Sequence, residues 1–227
     1  MRILIIGAGK VGSSVAGNLV SESNDITIVD TNKAKIAEIQ SNYDLQGIVG
    51  DATSPSVLAD AGAVDADMII AVTANDETNL AVTLIAEQLF NVPSRIARVR
   101  NDELREYPAL LSTSGFRATS VIWPEEAITN YIVQLITYPE ALQVIEFSDG
   151  DVVLMSVKIV SSSKMCGRPV SALQDELPRV KVQIVSIYRQ KYRLDDIDGK
   201  TVLEAGDEIF FLTTKALAPI NSVVEII

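Results

Sequence analysis

The sequence predicts a doubly wound parallel α/β sheet followed by a small α+β domain, and three observations point there. The apolar run Ile3-Leu4-Ile5-Ile6 passes directly into Gly7-Ala8-Gly9-Lys10-Val11-Gly12, and the next apolar run closes on Asp30. Up to residue 123, near-continuous apolar runs alternate with helical patterns over short links, which fits parallel strands buried on both faces. After Pro139 the style changes to apolar runs separated by polar turns, as in antiparallel hairpins.

The first of these observations carries chemistry. Gly7 permits a tight turn, Gly9 lets the backbone approach a pyrophosphate, and Gly12 lets the following helix pack closely on the strand. The helix N-terminus offers unpaired N–H groups and a partial positive charge to phosphates. Asp30, at the tip of the second strand, is placed to accept hydrogen bonds from both ribose hydroxyls. Strand before, helix after and acid at the right distance make this a Rossmann dinucleotide-binding pattern rather than a chance glycine turn. Thr31 and Asn32 follow, with no arginine to hold a 2′-phosphate, and a carboxylate repels one. NAD+ or NADH, or another unphosphorylated ribose, is therefore favoured over NADP(H).

The remaining elements read in order. Strand two covers 25–29, and a helix over 33–41 carries Ile36, Ala37 and Ile39 as its apolar residues. Strand three, 46–49, ends in Gly50-Asp51-Ala52-Thr53. Strand four, 68–72, ends in Thr73-Ala74-Asn75-Asp76. A long helix spans 76–90, strand five 95–99 and a sixth strand 118–123. Pro124 suits a first helical position, Glu125 and Glu126 complement the dipole, and Ile128, Tyr131, Ile132, Leu135 and Ile136 form one apolar face. Tyr138-Pro139 ends that helix. Runs over 142–147 and 152–159 flank Ser148-Asp149-Gly150-Asp151 as a hairpin. A short helix near 170–176, a strand over 182–188, a turn at 195–199 and a strand over 208–212 complete the chain. The expected organisation is a nucleotide-binding domain over 1–123, a crossover helix over 124–141 and a small α+β domain over 142–227.

Ligands of open α/β sheets lie beyond the carboxyl ends of the strands, so those ends hold the remaining candidates. Asp51 with Ala52 either cups the adenine, the acid meeting its amino group, or caps the helix that starts near Ser54. Thr73 and Ala74 are small enough for the middle of a nucleotide to pass closely. Arg98 is a charge inside a buried strand, which is costly unless it is paired. It either meets a neighbouring carboxylate or reaches a phosphate, and the charge-assisted geometry of arginine favours the phosphate. Arg100 and Arg105 are weaker candidates for the same role and read more readily as surface charge. The helix over 76–90 carries more apolar residues than one sheet face needs, from deep burial or from a self-association face. Trp123 reads as core packing.

Composition narrows the function classes. Lys and Arg number 19 against 30 Asp and Glu, a net charge of −11, which argues against nucleic acid and anionic membrane surfaces. No apolar stretch approaches a membrane span, and a strand beginning at residue 2 leaves no room for a signal peptide. Cys166, the single cysteine, excludes an intrachain disulfide and fits a reducing compartment. The chain has no histidine, which removes the commonest general base, the activator Cys166 would need, and most transition-metal sites. No paired carboxylates or serine–base arrangement stands out.

Gly7 to Gly12, Val29-Asp30, Gly50-Asp51-Ala52-Thr53, Ala97-Arg98-Val99, Trp123-Pro124-Glu125 and Glu204-Ala205-Gly206-Asp207 occur in an order that resembles the cytoplasmic regulators of potassium conductance (RCK). More closely, the chain resembles the regulatory subunit of bacterial Trk potassium uptake systems, over its whole length. The resemblance implies regulation without catalysis. It implies NAD+, NADH, ATP or ADP as ligand, self-association into dimers and rings, and a membrane-embedded potassium transporter subunit as partner at the cytoplasmic face. By position it implies Gly7, Ala8, Gly9, Lys10 and Val11 at the pyrophosphate, Asp30 at the ribose, Thr73 and Ala74 at the neighbouring edge and Arg98 at a phosphate. That family usually carries two such units in tandem, and only one glycine motif occurs here, so the chain is expected to match the first unit.

Two other classes use the same cofactor fold. An NAD-dependent oxidoreductase needs a proton donor beside the nicotinamide, and neither Lys10 nor Tyr107 is placed by the sequence to serve. A nucleotide sensor for some other partner differs from the regulator only in what it binds.

Overall fold

Alternating side chains along β1 (Arg2–Ile6) explain why an unbroken apolar run is needed. Leu4 and Ile6 pack on one face of a sheet with Val29, Ile69 and Ala71, while Ile3 and Ile5 pack on the other with Ile26, Ile28 and Ile70. A strand covered on both faces has no polar side to show. The computed structural model describes residues 1–20, 24–112, 114–147, 151–178 and 181–214. Its contacts divide the chain into two units, residues 1–128 and 129–227.

In the first unit β1 leads to α1 (Lys10–Val20), β2 (Asp25–Asp30), α2 (Lys33–Asn42), β3 (Gln46–Val49), α3 (Pro55–Asp60), β4 (Met68–Ala71), α4 (Asp76–Phe90), β5 (Ser94–Arg98), α5 (Pro108–Leu111) and β6 (Ser120–Ile122). All six strands are parallel, in the order β3-β2-β1-β4-β5-β6. This is the doubly wound Rossmann arrangement, with its switch point between β1 and β4. The sixth strand is shorter than its apolar pattern suggests. It pairs only over 120–122, while Ala118 gives its N–H to Leu111 and joins a core cluster with Leu80, Ala97, Val99 and Leu111. Half-buried Trp123 packs against that cluster, as its sequence context implied, and carries the Arg105 guanidinium 4.6 Å above its ring.

α4 packs mainly within this unit. Leu80, Val82 and Ala86 are buried, Leu84, Ile85 and Phe90 are half-buried, and of its large apolar residues only Leu89 is exposed. Its apolar surplus is mostly spent on the core. At the opposite end of the sheet from the glycine turn, buried Arg95 donates to the carbonyl oxygens of Val92, Pro93 and Arg117. Backbone acceptors replace an acid there.

α6 (Pro124–Thr137) runs from the first unit into the second and stops two residues before Pro139, because a residue preceding proline disfavours helical backbone. The second unit holds β7 (Ala141–Phe147), β8 (Val152–Lys158), α7 (Ala172–Glu176), β9 (Gln183–Arg189), β10 (Tyr192–Arg193) and β11 (Glu208–Thr214). They form an antiparallel sheet in the order β10-β9-β11-β8-β7. β7 and β8 pair as the expected hairpin; Ser148, Asp149 and Gly150 of its turn lie outside the described residues. Met155, Val157, Ile187, Ile209 and Phe211 form the core with Leu173 and Tyr138.

One polar cluster ties this core together. Asp207 is fully buried and accepts from Arg189 Nε at 2.8 Å, Arg189 Nη2 at 2.8 Å and the Glu204 N–H at 2.8 Å. Burial pushes the Asp207 carboxyl up, but the bonds from Arg189 and Glu204 and the arginine's charge outweigh it and hold the group below the ordinary carboxylate value. Replacing Arg189 by glutamine leaves a buried carboxylate without its cation. The expected loss, read by urea denaturation at neutral pH, is about 3 kcal/mol, the lower end for a buried pair because Arg189 is itself partly exposed. A depressed folded-state pKa stabilises above the unfolded value and loses that contribution as pH falls through it. The wild-type advantage over Arg189→Gln is therefore expected to shrink below about pH 4.

Candidate nucleotide-binding site

Gly7 has φ +104°, and its N–H donates to the Val29 carbonyl at 2.7 Å. A β-carbon there stands 3.1 Å from the Thr73 backbone. Gly12 is tighter still: a β-carbon falls 1.8 Å from the Gly7 carbonyl oxygen. Gly9 is the opposite case, with nothing within 4 Å of an added β-carbon, so the space beside it is open. The turn delivers the chain to the N-terminus of α1, whose first turn holds no acidic residue. Asp30 locks it there. Its Oδ2 accepts the Ala8 N–H at 2.7 Å and its Oδ1 the Asn32 N–H at 2.8 Å, leaving further lone pairs for a ligand.

Above the switch point lies a cleft of about 630 Å³. Gly7, Gly9, Lys10, Val11, Asp30, Asp51, Ala52, Thr73, Ala74 and Arg98 all line it. Ala8 and Gly12 do not: Ala8 serves Asp30, and Gly12 packs beneath the turn. Lys35 is a lining residue that the sequence did not single out, and Arg100, one of the weaker phosphate candidates beside Arg98, lines the cleft as well. Arg105 stays outside the cleft, paired with Asp102 and Glu126. Lys10, Lys35, Arg98 and Arg100 thus face Asp30 and Asp51 across one cleft, in a chain whose net charge is −11. A local cationic excess against that background focuses the field on an anion.

Arg98 has the most distinctive surroundings. It is 6 % exposed and pairs with no carboxylate among the described residues. Its Nη2 donates to the Thr73 carbonyl, while its Nε is buried with no partner. Burial, and after it the charge of Arg100, lowers its pKa, yet an arginine remains a cation. Of the two readings open for Arg98, the pairing with a neighbouring carboxylate is not observed.

Asp51 makes neither helix cap nor ion pair. Its Oδ1 accepts the Thr53 N–H at 2.9 Å and the Thr53 hydroxyl at 2.8 Å, bonds that lower its pKa, and Ser54 is the residue preceding α3. The turn is an Asx turn that leaves Asp51 at the cleft wall.

α4 supplies two residues that sequence reasoning passed over. Asp76 Oδ2 accepts the N–H groups of Arg100 and Asn101 at 2.8 and 2.9 Å. Asn79, fully buried, bonds Thr73 and the Arg98 carbonyl. A polar residue at a core position of an amphipathic helix was the available signal.

The TrkA-N domain family matches residues 3–124, and the TrkA-C domain family matches 154–218. The chain belongs to the TrkA family. The Trk system potassium uptake protein TrkA of Vibrio alginolyticus is 45 % identical over 213 residues, which is 93 % of this chain and 46 % of that protein. The protein of the same name from Haemophilus influenzae is 42 % identical over 213 residues, again 93 % and 46 %. The chain thus spans about half the length of these curated relatives. A TrkA homolog from Methanothermobacter thermautotrophicus is 31 % identical, over 83 % of this chain and 82 % of that one. Among solved structures, the GsuK channel superposes with a TM-score of 0.68 at 19 % identity, covering 98 % of this chain and 39 % of its own. A GsuK channel bound to NAD gives 0.64 at 18 % identity, with 98 % and 39 % covered. At that identity the likeness shows the fold alone.

Gly12→Ala is expected to cost about 2–3 kcal/mol, because the obstacle at Gly12 is backbone that cannot swing aside. A thermal melt of the variant beside wild type measures it.

Proposed function

We propose that this TrkA-family chain is a nucleotide-sensing regulatory unit of a potassium uptake system, not an enzyme. The observation that carries the reading is the unpaired, buried Arg98 in a cationic cleft above the β1–β4 switch point. A buried cation without a carboxylate needs an anion, and a glycine turn at a helix N-terminus supplies the other half of a phosphate site. The open space at Gly9 and the partnerless Arg98 Nε fit a dinucleotide or an adenine nucleotide, NAD+ or NADH first, with ATP or ADP as the competing ligands.

In this reading Gly7, Ala8, Gly9, Lys10 and Val11 line the pyrophosphate and Asp30 holds the ribose while it fixes the turn. Asp51 and Ala52 border the adenine, Thr73 and Ala74 the middle of the ligand, and Arg98 takes a phosphate. The bound nucleotide supplies binding free energy and no bond-breaking chemistry. Binding shifts an assembly between two states only so far as one state binds it better. The proposed organisation is a nucleotide domain over 1–123, a crossover helix over 124–141 and a regulatory domain over 142–227. The partner is a membrane-embedded potassium transporter subunit at the cytoplasmic face, reached through protein contact. Among the described residues no helix is long and apolar enough to cross a membrane.

The proposed self-association surface is α6. Tyr131, Ile132, Leu135 and Ile136 are exposed, Ile136 by 75 % and Tyr131 by 61 %, along the helical stripe that the sequence marked as apolar. A contiguous apolar stripe left in solvent marks an interaction face. Sedimentation velocity is expected to find a dimer or larger species for wild type and mainly monomer for Ile132→Asp combined with Ile136→Asp.

Calorimetric titration with NADH, NAD+, ATP and ADP tests the nucleotide reading. At least one is expected to bind, and Asp30→Ala to weaken it about ten- to a hundredfold by removing charge-assisted bonds. Unchanged affinity in a folded Asp30→Ala variant overturns the assigned pocket.

A further inference from the structure

Arg98 enters the cleft on a backbone that something else holds. The ladder with β4 ends at Ala97, so on that side no strand partner takes the Arg98 carbonyl, although on the other side Arg98 pairs with Ile122 of β6 and the Val99 N–H donates to the Ile122 carbonyl. Asn79 lies on α4, is 0 % exposed and is not a lining residue of the cleft. Its side chain makes four hydrogen bonds. Oδ1 accepts the Thr73 N–H at 2.9 Å and the Thr73 hydroxyl at 2.8 Å; Nδ2 donates to the Thr73 carbonyl at 3.2 Å and to the Arg98 carbonyl at 2.9 Å. That set uses every donor and acceptor direction a primary amide has.

The two Nδ2 bonds have a particular geometry. One goes to Arg98's own carbonyl, at the root of the side chain. The other goes to the Thr73 carbonyl, which also accepts from Arg98 Nη2 at the tip. Asn79 therefore holds the root of the arginine directly and, at its tip, the Thr73 carbonyl that accepts from it, from behind the cleft wall. Asp76, one turn earlier on α4, takes the N–H groups of Arg100 and Asn101 and holds the same loop from outside. Both walls of the phosphate side, the exit of β4 and the exit of β5, are thus fastened to the first turn of one helix.

We propose that Asn79 is the positioning residue for Arg98: it sets where the guanidinium stands and so the affinity for the phosphate portion of the nucleotide, with Asp76 assisting from the loop. This rests on the nucleotide-binding reading above. The reason is energetic. A buried guanidinium with a bare Nε gains most from an anion when it is already oriented; a loosened one must be ordered at the moment of binding.

The test is a double-mutant cycle on the 227-residue chain, read by calorimetry with ADP and by the fluorescence of bound NADH. Arg98→Gln is expected to weaken ADP about ten- to a hundredfold, and Asn79→Ala to weaken it by a comparable factor. In the Arg98→Gln background, Asn79→Ala is expected to cost less than about twofold more, because the group it acts through is gone. A purely structural Asn79 lowers the melting temperature and leaves ADP affinity unchanged, or adds its full loss on top of Arg98→Gln; either result overturns the positioning role. If Asn79→Ala does not fold, Asp76→Ala gives the second arm, with a smaller loss of ADP affinity that again disappears in the Arg98→Gln background. Additive losses there overturn the proposal. Absence of ADP and NADH binding to wild type overturns the nucleotide reading itself, and the positioning role with it. Loss in Arg98→Gln but not in Asn79→Ala leaves that reading standing and removes only the role of Asn79.

Discussion

The passage from β1 to α1 is set by a volume that no side chain can enter. Gly12 sits so close to the Gly7 carbonyl that a single methyl group has no room, and Gly7 turns against the Thr73 backbone in a conformation that favours glycine. Those two contacts bring the tips of β1, β2 and β4 together. Asp30 can then reach Ala8, Thr73 becomes a wall, and the N-terminus of α1 faces the gap between strands whose neighbours diverge on either side. The cleft is a consequence of this approach rather than a separate piece of architecture.

Electrostatics then distinguishes this gap from the rest of the surface. Acids outnumber bases over the chain, yet four cationic side chains line one cleft against two carboxylates, and both carboxylates are already engaged with backbone N–H groups. Burying Arg98 without an acid costs several kcal/mol of lost hydration. Such an expense persists in a fold when something else offsets it, and part of the offset is the Thr73 carbonyl, which accepts from Arg98 and is bonded by Asn79 of α4. The second unit handles the same problem in the opposite way. Asp207 is buried with its arginine in bidentate contact, so that pair closes on itself and presents no charge to a ligand.

Much of this was legible in the sequence because it depends on local, periodic signals. An apolar run, a glycine spacing and an acid at the next strand tip each follow from backbone geometry within a few residues, and the parallel sheet and the cleft followed from them. Pro124 and Pro139 marked the two ends of α6 for the same reason. What escaped was non-local. Nothing near Arg100 reveals that Asp76, 24 positions earlier, turns its loop toward the cleft. Nothing near Asn79 reveals that its amide spans two strand exits. Lys35 drew no attention because periodicity says which side of α2 is polar but not what that side overlooks. The sixth strand came out too long because its apolar flanks, Ala118 and Trp123, serve a core cluster and not a ladder.

β5 carries an arginine near each end, and the two are buried to almost the same degree, 7 % for Arg95 and 6 % for Arg98. Arg95 spends its N–H groups on carbonyls of its own domain; Arg98 keeps one buried N–H in reserve. Selection therefore acts on them through different phenotypes. On the proposed nucleotide reading, a lineage that stopped binding the nucleotide would still need Arg95 in order to fold, whereas Arg98 would become a burden and drift toward an apolar residue. The pair is a built-in record: among descendants of this fold, the fate of one arginine relative to the other distinguishes cleft decay from collapse of the scaffold.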